Sequence, residues 1–178
     1  MVPDVEFRTG NEADALCVGA LAIQVFLDTY AKEGIRPDLA REALANYSPQ
    51  AFSQRLADHN TTIVVAEKDG FVFAFGEVTR NRPCPVVDVV DTVELVRLYV
   101  QPTSQRHGLG RALLGQAEKL AIEAGAGSLW LTAWTGNAQA LAFYRAHGYK
   151  SAGTTSHVFE AQTYENQVLI KTPLRRAS

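Results

Sequence analysis

The sequence predicts a single α/β domain spanning residues 1–178, with a mixed, mostly antiparallel central sheet of about seven strands flanked by about four helices. Segments typical of strands and of amphipathic helices follow one another in the order β α α β β β α β α β β, which is typical of a sheet covered by helices. Hydrophobic residues make up 47% of the chain and charged residues 20%, an ordinary globular composition. No linker, internal repeat or low-complexity segment divides the 178 residues, which suffice for one well-buried core.

The N-terminal half begins with a short strand, "VEFRT", and then becomes helical. A helix is predicted from Glu12 to about Tyr30. Its apolar stripe at helical spacing is made of Leu16, Ala20, Ile23 and Leu27, and is widened by Val18, Val25 and Phe26. A second helical region begins at Pro37 and runs to about Asp58, interrupted at "YSPQ", where Ser48 and Pro49 supply a new cap and first turn. The stretch "TTIVVAEKDGFVFAFGEVTR" then predicts a hairpin that turns at its Asp-Gly pair.

The C-terminal half alternates strands and helices. After the irregular connection "NRPCPVVDVVD", "TVELVRLYV" predicts a long strand, and a helix runs from Leu109 to near Gly125. "SLWLTAW" predicts a buried strand. Asn137 is a suitable cap for the helix "AQALAFYRAH", and Gly148 lies where that helix should end. The strands "YKSAGTTSHVF" and "ENQVLIK" close the chain.

Composition and charge exclude several classes of protein. The net charge of −2, with both signs mixed along the chain, argues against a nucleic-acid partner. Cys17 and Cys84 are far apart and form neither a CxxC pair nor a Cys/His cluster, so we expect no metal site. The N-terminus does not resemble a signal peptide, and no apolar run approaches the length of a membrane span. We therefore expect a cytoplasmic protein with no membrane partner.

The glycine pair in "QRHGLGRALL" lies between a strand and a helix. A turn without a ligand is the simplest interpretation. A dinucleotide fingerprint would need a third glycine at Leu113, and a phosphate P-loop would need Gly-Lys-Ser/Thr, so both nucleotide motifs are excluded. The remaining interpretation is an anion site at the start of the helix, where N–H groups have no internal partners and glycines allow close approach.

This interpretation favours a diphosphate over an empty turn. The main-chain amides from His107 to Arg111, and therefore those of Gly108, Leu109 and Gly110, would hold the phosphates. Further donors at the rim would come from the side chains of Gln105, Arg106 and Arg111.

Two motifs together resemble those of the GCN5-related N-acetyltransferase (GNAT) superfamily. "QRHGLGRALL" after "VRLYV" resembles the family's pyrophosphate-binding signature, Gln/Arg-x-x-Gly-x-Gly/Ala. "LWLTAWTGNAQALAFYRAHGYKSAG" resembles its next strand and the following Asn-capped helix with Phe-Tyr. The motifs cover about Val93 to Gly153. The helical N-terminal third and "HVFEAQTYENQVLIKTP" are more loosely similar to the bacterial spermidine/spermine acetyltransferase subgroup.

The resemblance implies acetyl-coenzyme A (acetyl-CoA) as cosubstrate, no metal, and an amine acceptor: a polyamine, a small amine or a peptide amine. It implies that the backbone of Leu98, Tyr99 and Val100 pairs with the pantetheine arm, and that Asn137 caps its helix and also holds that arm. Tyr144 is implied as the general acid for the departing thiolate, although a lone tyrosine on an amphipathic helix is usually a core aromatic.

The base is left open by the sequence. Glu94 lies before the pantetheine segment on the same strand, where several members of the superfamily place a carboxylate. Glu94 can also be interpreted as a solvent-facing carboxylate or as a partner of Arg97, and Glu77 is a rival candidate for the base. Three acidic pairs are candidate contacts for a polycation: Asp28 with Glu33, Asp88 with Asp91, and Glu160 with Glu165.

Two other classes of function remain possible from the sequence. One is a non-catalytic coenzyme A-binding or regulatory module that retains the phosphate loop, and the other is a structural domain without a small-molecule ligand. The identity of the acceptor, the oligomeric state and the biological role are not determined by the sequence, and a homodimer is compatible with it.

Overall fold

The computed structural model describes residues 4–159 and 162–174, and these residues contain seven strands and five α-helices. The strands are β1 (Glu6–Thr9), β2 (Thr61–Lys68), β3 (Phe71–Arg80), β4 (Thr92–Val100), β5 (Ser128–Trp134), β6 (Lys150–Phe159) and β7 (Gln162–Lys171). The helices are α1 (Ala15–Tyr30), α2 (Pro37–Asn46), α3 (Pro49–Ala57), α4 (Leu109–Glu123) and α5 (Ala138–Ala146). The predicted fold class and order of elements are confirmed. The second helical region is divided into α2 and α3 at Ser48, whose side chain caps α3.

The seven strands form one mixed sheet in the order β1-β2-β3-β4-β5-β7-β6. β1 pairs antiparallel with β2, and β7 pairs antiparallel with both β5 and β6. β4 and β5 pair in parallel, with Thr92 opposite Ser128 and Glu94 opposite Trp130. The last strand of the chain therefore lies inside the sheet, between β5 and β6.

The predicted hairpin is confirmed in its position and its turn. Asp69 and Gly70 have φ angles of 52° and 82°. Positive φ at both central residues is the geometry of a type I′ turn, whose twist matches that of the flanking strands. The Asp-Gly pair therefore determines where β2 ends and β3 begins.

Contacts within the chain divide it into two compact units. The first comprises the chain up to Val78 together with Arg97–Ala117, and the second comprises Thr79–Val96 together with the chain from Glu118 onward. Large, fully buried side chains form the interior of the first unit, among them Phe26, Phe52, Phe75, Ile63 and Leu113.

The second unit has its own apolar cluster. Cys84, Trp130 and Val168 are buried there, and Val86, Val87, Ala152 and Ile170 pack against them. The connection between β3 and β4 is held to this cluster because the carbonyl of Arg82 accepts hydrogen bonds from Trp130 Nε1 at 3.1 Å and from Thr92 Oγ1 at 2.8 Å. The segment that the sequence shows as irregular is thus part of the packed unit.

Helix α1 buries only part of its predicted apolar stripe. Val18 and Phe26 are buried as predicted, and Leu21 and Ala22 are buried in addition, whereas Leu16 is 67% exposed and Ala20 is also exposed. The reason is the packing of α1 against α3. A Cβ on Gly19 would lie 3.0 Å from the carbonyl oxygen of Tyr47 and 3.1 Å from the nitrogen of Pro49. Gly19 therefore allows α1 to approach the start of α3 closely.

One expectation about membranes needs correction. By length and composition alone, Glu12–Tyr30 is long and apolar enough to cross a membrane. A core helix of a soluble protein passes the same test, and the buried residues of α1 pack inside the first unit. This segment therefore gives only weak evidence for a membrane partner.

The start of α1 is tied to β1 and β2 by one arginine. Arg8 donates two hydrogen bonds of 2.8 Å to the carboxylate of Asp14 and also pairs with Glu67. The Asp14 carboxylate accepts a third bond from the backbone N–H of Asn11 at 2.8 Å. The hydrogen bonds from Arg8 are the main reason why the pKa of Asp14 is lowered, against the opposing effect of burial.

We expect Asp14→Asn to lower the free energy of unfolding by about 2 kcal/mol at neutral pH, because hydrogen bonds to charged groups are worth roughly 1.5–3 kcal/mol. The folded pKa of Asp14 is below its unfolded value of about 3.9, so this contribution is complete above that pH and disappears as the pH falls through the folded pKa. Urea unfolding of both proteins from pH 7 to pH 3 measures the difference. Asp69→Asn, at the exposed turn, is the control; a difference that does not narrow in acid would contradict the assignment.

Candidate functional site

The segment between β4 and α4 turns sharply before the helix begins. A single tight helical turn, Pro102–Ser104, follows β4. Arg106 and Gly108, which come next, have positive φ angles of 63° and 88°. At Gly108 no atom lies within 4 Å of the place that a Cβ would take. The backbone at Gly108 is therefore open to the approach of another group.

The first N–H groups of α4 precede its hydrogen-bond ladder. The N–H of Ala112 donates to the carbonyl of Gly108 at 3.0 Å. The N–H groups of Leu109, Gly110 and Arg111 come before that bond, where an α-helix has donors without intrahelical partners. The positive end of the helix dipole adds to their attraction for an anion. The chemistry of this donor set suits a diphosphate.

The side chains of this loop divide into one anchor and an exposed rim. Leu109 is buried and holds the start of α4 in the interior of the first unit. Arg106, His107 and Arg111 are exposed, so two cations remain available at the rim. Gln105, which the sequence also predicts as a rim donor, points its amide Nε2 to the carbonyl of Val100 at the long distance of 3.4 Å.

The end of β4 offers backbone groups rather than side chains. Leu98 extends toward Gly76 on one face of the strand, and Tyr99 packs against the rings of Phe75 and Tyr47 on the other. Burial, with the neighbouring Tyr47, raises the pKa of Tyr99 well above its ordinary value, so this phenol is neutral. The Tyr99 side chain is thus a core group, and any contact of this segment with a ligand falls to its main chain.

Glu77, the rival base, is engaged by two arginines in the first unit. Arg97 Nη1 donates to its carboxylate at 2.6 Å, and Arg55 Nε lies 3.9 Å away. Burial acts to lower the pKa of Arg97, but the attractions of Glu77, Tyr99 and Tyr47 together exceed this effect and the pKa is raised. Glu77 is therefore the hydrogen-bonded partner of Arg97.

Glu94 belongs to the second unit, where it pairs with Arg82, a partner that the sequence did not predict. Its side chain is 13% exposed, and its Oε2 lies 3.6 Å from Nη1 of Arg82. The solvent-facing alternative for Glu94 is therefore wrong. Glu94 is a largely buried carboxylate beside a cation that is itself mostly exposed.

Asn137 caps α5 as predicted. Its Oδ1 accepts a hydrogen bond from the N–H of Ala140 at 3.1 Å, and its own N–H donates to the carbonyl of Trp134 at 2.9 Å. The cap uses the oxygen of the side chain, so the amide N–H₂ group remains as a donor of two hydrogen bonds. Both roles expected of this residue are chemically compatible.

Tyr144 lies two turns along α5 and is buried. Its ring meets the ring of Phe143 at 5.2 Å and that of Tyr149 at 5.8 Å, both in edge-on geometry. Among the residues that the structure describes, its hydroxyl makes no hydrogen bond. Burial raises the pKa of Tyr144 above its ordinary value of 10, so the side chain is a neutral O–H donor near neutral pH.

The predicted residues are distributed over both units. The first unit contains Leu98–Val100 and the loop Gln105–Arg111, and the second contains Glu94, Asn137 and Tyr144. Within the described part of the chain no group of three or more His, Cys, Asp or Glu side chains is placed to hold a metal ion. The sequence did not indicate the ion pairs of Glu77 and Glu94, because they join residues 20 and 12 positions apart on different elements.

Comparisons with known proteins agree on one family. A family model described as the acetyltransferase (GNAT) family matches residues 27–149. An uncharacterized N-acetyltransferase of Mycobacterium tuberculosis is 29% identical over 127 residues, which are 71% of this chain and 77% of that protein. The [ribosomal protein bS18]-alanine N-acetyltransferase of Salmonella typhimurium is 32% identical over 87 residues, 48% of this chain and 59% of that protein.

Solved structures show the same fold. The PaiA N-acetyltransferase of Thermoplasma acidophilum, in complex with coenzyme A, has a TM-score of 0.75 at 19% identity and covers 95% of this chain and 99% of its own. The acetyltransferase YncA of Salmonella typhimurium, solved with acetyl-CoA, has a TM-score of 0.68 at 20% identity, with coverage of 98% and 97%. The family match extends over most of the chain and the fold agrees throughout, so the protein belongs to the GNAT family and is an acetyl-CoA-dependent acyltransferase.

Proposed function

We propose that the protein acetylates a primary amine by direct transfer, with Tyr144 as the proton donor to the leaving group. The observation that carries this proposal is the position of Tyr144 on the Asn137-capped helix α5, with a neutral hydroxyl that makes no hydrogen bond to another described residue. A neutral O–H group that the described residues do not engage is available as a hydrogen-bond donor to a ligand.

Acetyl-CoA, when bound, supplies a thioester carbonyl that an amine can attack. The N–H groups at the start of α4, with Arg106 and Arg111 at the rim, would hold its phosphates. The amide of Asn137 and the main chain of Leu98–Val100 would hold the pantetheine arm, and a backbone N–H at Val100 or its neighbour would polarise the carbonyl.

Tyr144 keeps its proton at every pH in the physiological range because burial raises its pKa. A thiol such as that of cysteine has a pKa of about 8.5, below the raised pKa of Tyr144, so the departing thiolate is a weaker base than the Tyr144 phenolate. Full proton transfer from Tyr144 is therefore uphill, and the hydroxyl acts chiefly by donating a hydrogen bond to the departing sulfur as its negative charge develops.

Glu94 is our proposed acceptor for the proton of the amine. A primary amine has a pKa of about 10, so it is mostly protonated at neutral pH and must lose a proton before it attacks. Glu94 is a largely buried carboxylate that lies 3.6 Å from Arg82, a looser pairing than that of Glu77 with Arg97. Glu77 is less suitable because Arg97 already donates to it.

The acceptor proposed for the first test is a polyamine. Asp28 and Glu33 at the end of α1 are exposed, as are Asp88 and Asp91 between β3 and β4, so each pair can meet a cation. Of the third pair, Glu165 is exposed and Glu160 lies outside the described residues. A peptide N-terminus is the second acceptor to test, because a relative is named for the alanine of a ribosomal protein.

With acetyl-CoA and a panel of polyamines, amino acids and peptides, we expect thiol release well above the rate without an acceptor for at least one amine. The reason is that relatives of this chain are named N-acetyltransferases, which transfer the acetyl group to an amine. Release of free thiol, followed with a chromogenic disulfide, measures the rate. Turnover at background with every member of the panel, by protein that still binds coenzyme A, would contradict amine acetylation.

Gly108→Val should weaken binding of coenzyme A by about tenfold or more. A φ of 88° is strained for a β-branched residue, by roughly 1–2 kcal/mol, and the added side chain occupies the open side of the loop. Titration calorimetry with coenzyme A measures the affinity. Gly70→Val is the matched control, since Gly70 has a φ of 82° and equally open surroundings in a hairpin turn; equal losses in both variants would show that strain alone is responsible.

Tyr144→Phe should lower kcat by roughly 100-fold, a typical contribution of a positioned proton donor, and leave the affinity for coenzyme A within about twofold. In the unmodified enzyme the rate should not fall between pH 8 and pH 10, because the raised pKa of Tyr144 keeps the phenol protonated there. Steady-state rates and coenzyme titrations measure both effects. Tyr164→Phe serves as the control, and an unchanged kcat in Tyr144→Phe would exclude the proposed role.

A further inference from the structure

We infer that Tyr149, Glu118 and Lys171 form a hydrogen-bonded network that positions Tyr144 for catalysis. The inference rests on the proposed function of Tyr144 and adds three positioning residues, none of which is a candidate for contact with substrate or cosubstrate. All four residues belong to the second unit.

Tyr149 holds Tyr144 at two points. Its ring lies edge-on to the Tyr144 ring, with 5.8 Å between the centroids and an interplanar angle of 66°. Its backbone N–H donates to the carbonyl of Tyr144 at 3.1 Å, beside a second bond of 3.0 Å from the N–H of His147. The position of the Tyr144 ring therefore depends directly on the orientation of Tyr149.

The orientation of Tyr149 is in turn set by Glu118 and Lys171. The hydroxyl of Tyr149 donates to Glu118 Oε1 at 3.1 Å, and Lys171 Nζ donates to the same oxygen at 2.8 Å. Lys171 Nζ also lies 5.7 Å from the centre of the Tyr149 ring. Burial, and then the charge of Glu118, raise the pKa of Tyr149, so its hydroxyl is a permanent donor at physiological pH.

The network joins three elements that are distant in sequence. Glu118 is on α4, Tyr149 follows α5 and Lys171 ends β7. Tyr149 is 2% exposed, and the hydroxyl bond stops its ring from rotating about the side-chain bonds. Small errors in the placement of a catalytic group are expensive, because a displacement of about 1 Å can cost on the order of 100-fold in rate. A fixed Tyr149 ring keeps the Tyr144 hydroxyl at one place.

Tyr149→Phe is the variant that isolates this effect. It keeps the aromatic ring and removes only the hydroxyl, while Glu118 retains its ion pair with Lys171, so no buried charge is left alone. If Tyr149 contributed only to stability, Tyr149→Phe would lower the melting temperature. Any effect of Tyr149→Phe on kcat would then be the same whether or not the Tyr144 hydroxyl is present.

A double-mutant cycle separates positioning from stability. We expect Tyr149→Phe to lower kcat about tenfold, with the KM for acetyl-CoA unchanged within about twofold, when Tyr144 is present. In the Tyr144→Phe background the same change should have almost no effect on kcat, because there is no longer a hydroxyl to position. Rates are compared at a temperature where circular dichroism shows all four proteins folded.

Two glutamate variants provide matched controls on one helix. Glu118→Gln keeps an acceptor for the Tyr149 hydroxyl but removes the charge, so we expect a smaller loss of kcat than in Tyr149→Phe. Glu123 and Lys119 form an exposed ion pair on the same helix, so Glu123→Gln should leave kcat unchanged.

Each outcome of the cycle has one meaning. If Tyr144→Phe slows the enzyme and Tyr149→Phe still lowers kcat tenfold in that background, the network is contradicted and the proposed function is not. A Tyr149→Phe enzyme with full kcat also overturns the network alone. A Tyr144→Phe enzyme with full kcat removes the proposed role of Tyr144 and the network with it.

Discussion

The first turn of an α-helix leaves backbone N–H groups without partners, and the start of α4 places such groups beside an open glycine. Leu109 anchors this turn by its buried side chain, and Gly108 leaves the approach to the backbone clear. In the proposed function, recognition of the cosubstrate therefore depends on main-chain donors whose direction is set by the helix. Side chains at the rim add charge but do not determine the geometry.

The second constraint is the cost of burying polar groups, and it distinguishes the candidate catalytic residues from structural ones. The carboxylates of Glu77 and Glu118 each accept a short hydrogen bond from a cationic side chain, so their role in the fold is clear. Glu94 lies 3.6 Å from Arg82, a looser pairing. The hydroxyl of Tyr144 makes no hydrogen bond to any described residue, so this O–H group remains available as a donor to a ligand.

Much of the fold could be predicted because it depends on local rules. Asp69 and Gly70 determine a turn between two alternating runs, Asn137 caps the helix that follows it, and the glycine loop precedes α4 where it was expected. The face of α1 could not be predicted in the same way. Its residues are apolar on two adjacent sides, and close packing against α3 at Gly19 selects the side that is buried.

The sequence by itself determined the order of the elements, the position of the glycine loop before α4 and the position of Tyr144 on an Asn-capped helix, because these follow from spacing between near neighbours. Only the tertiary structure decided that Arg97 pairs with Glu77, that Glu94 pairs with Arg82, and that Tyr149 is held by Glu118 and Lys171. The physical reason is that an ion pair or a buried hydrogen bond needs only proximity, and proximity between residues as far apart as Glu118 and Lys171 arises from the folding of the whole chain rather than from any local pattern.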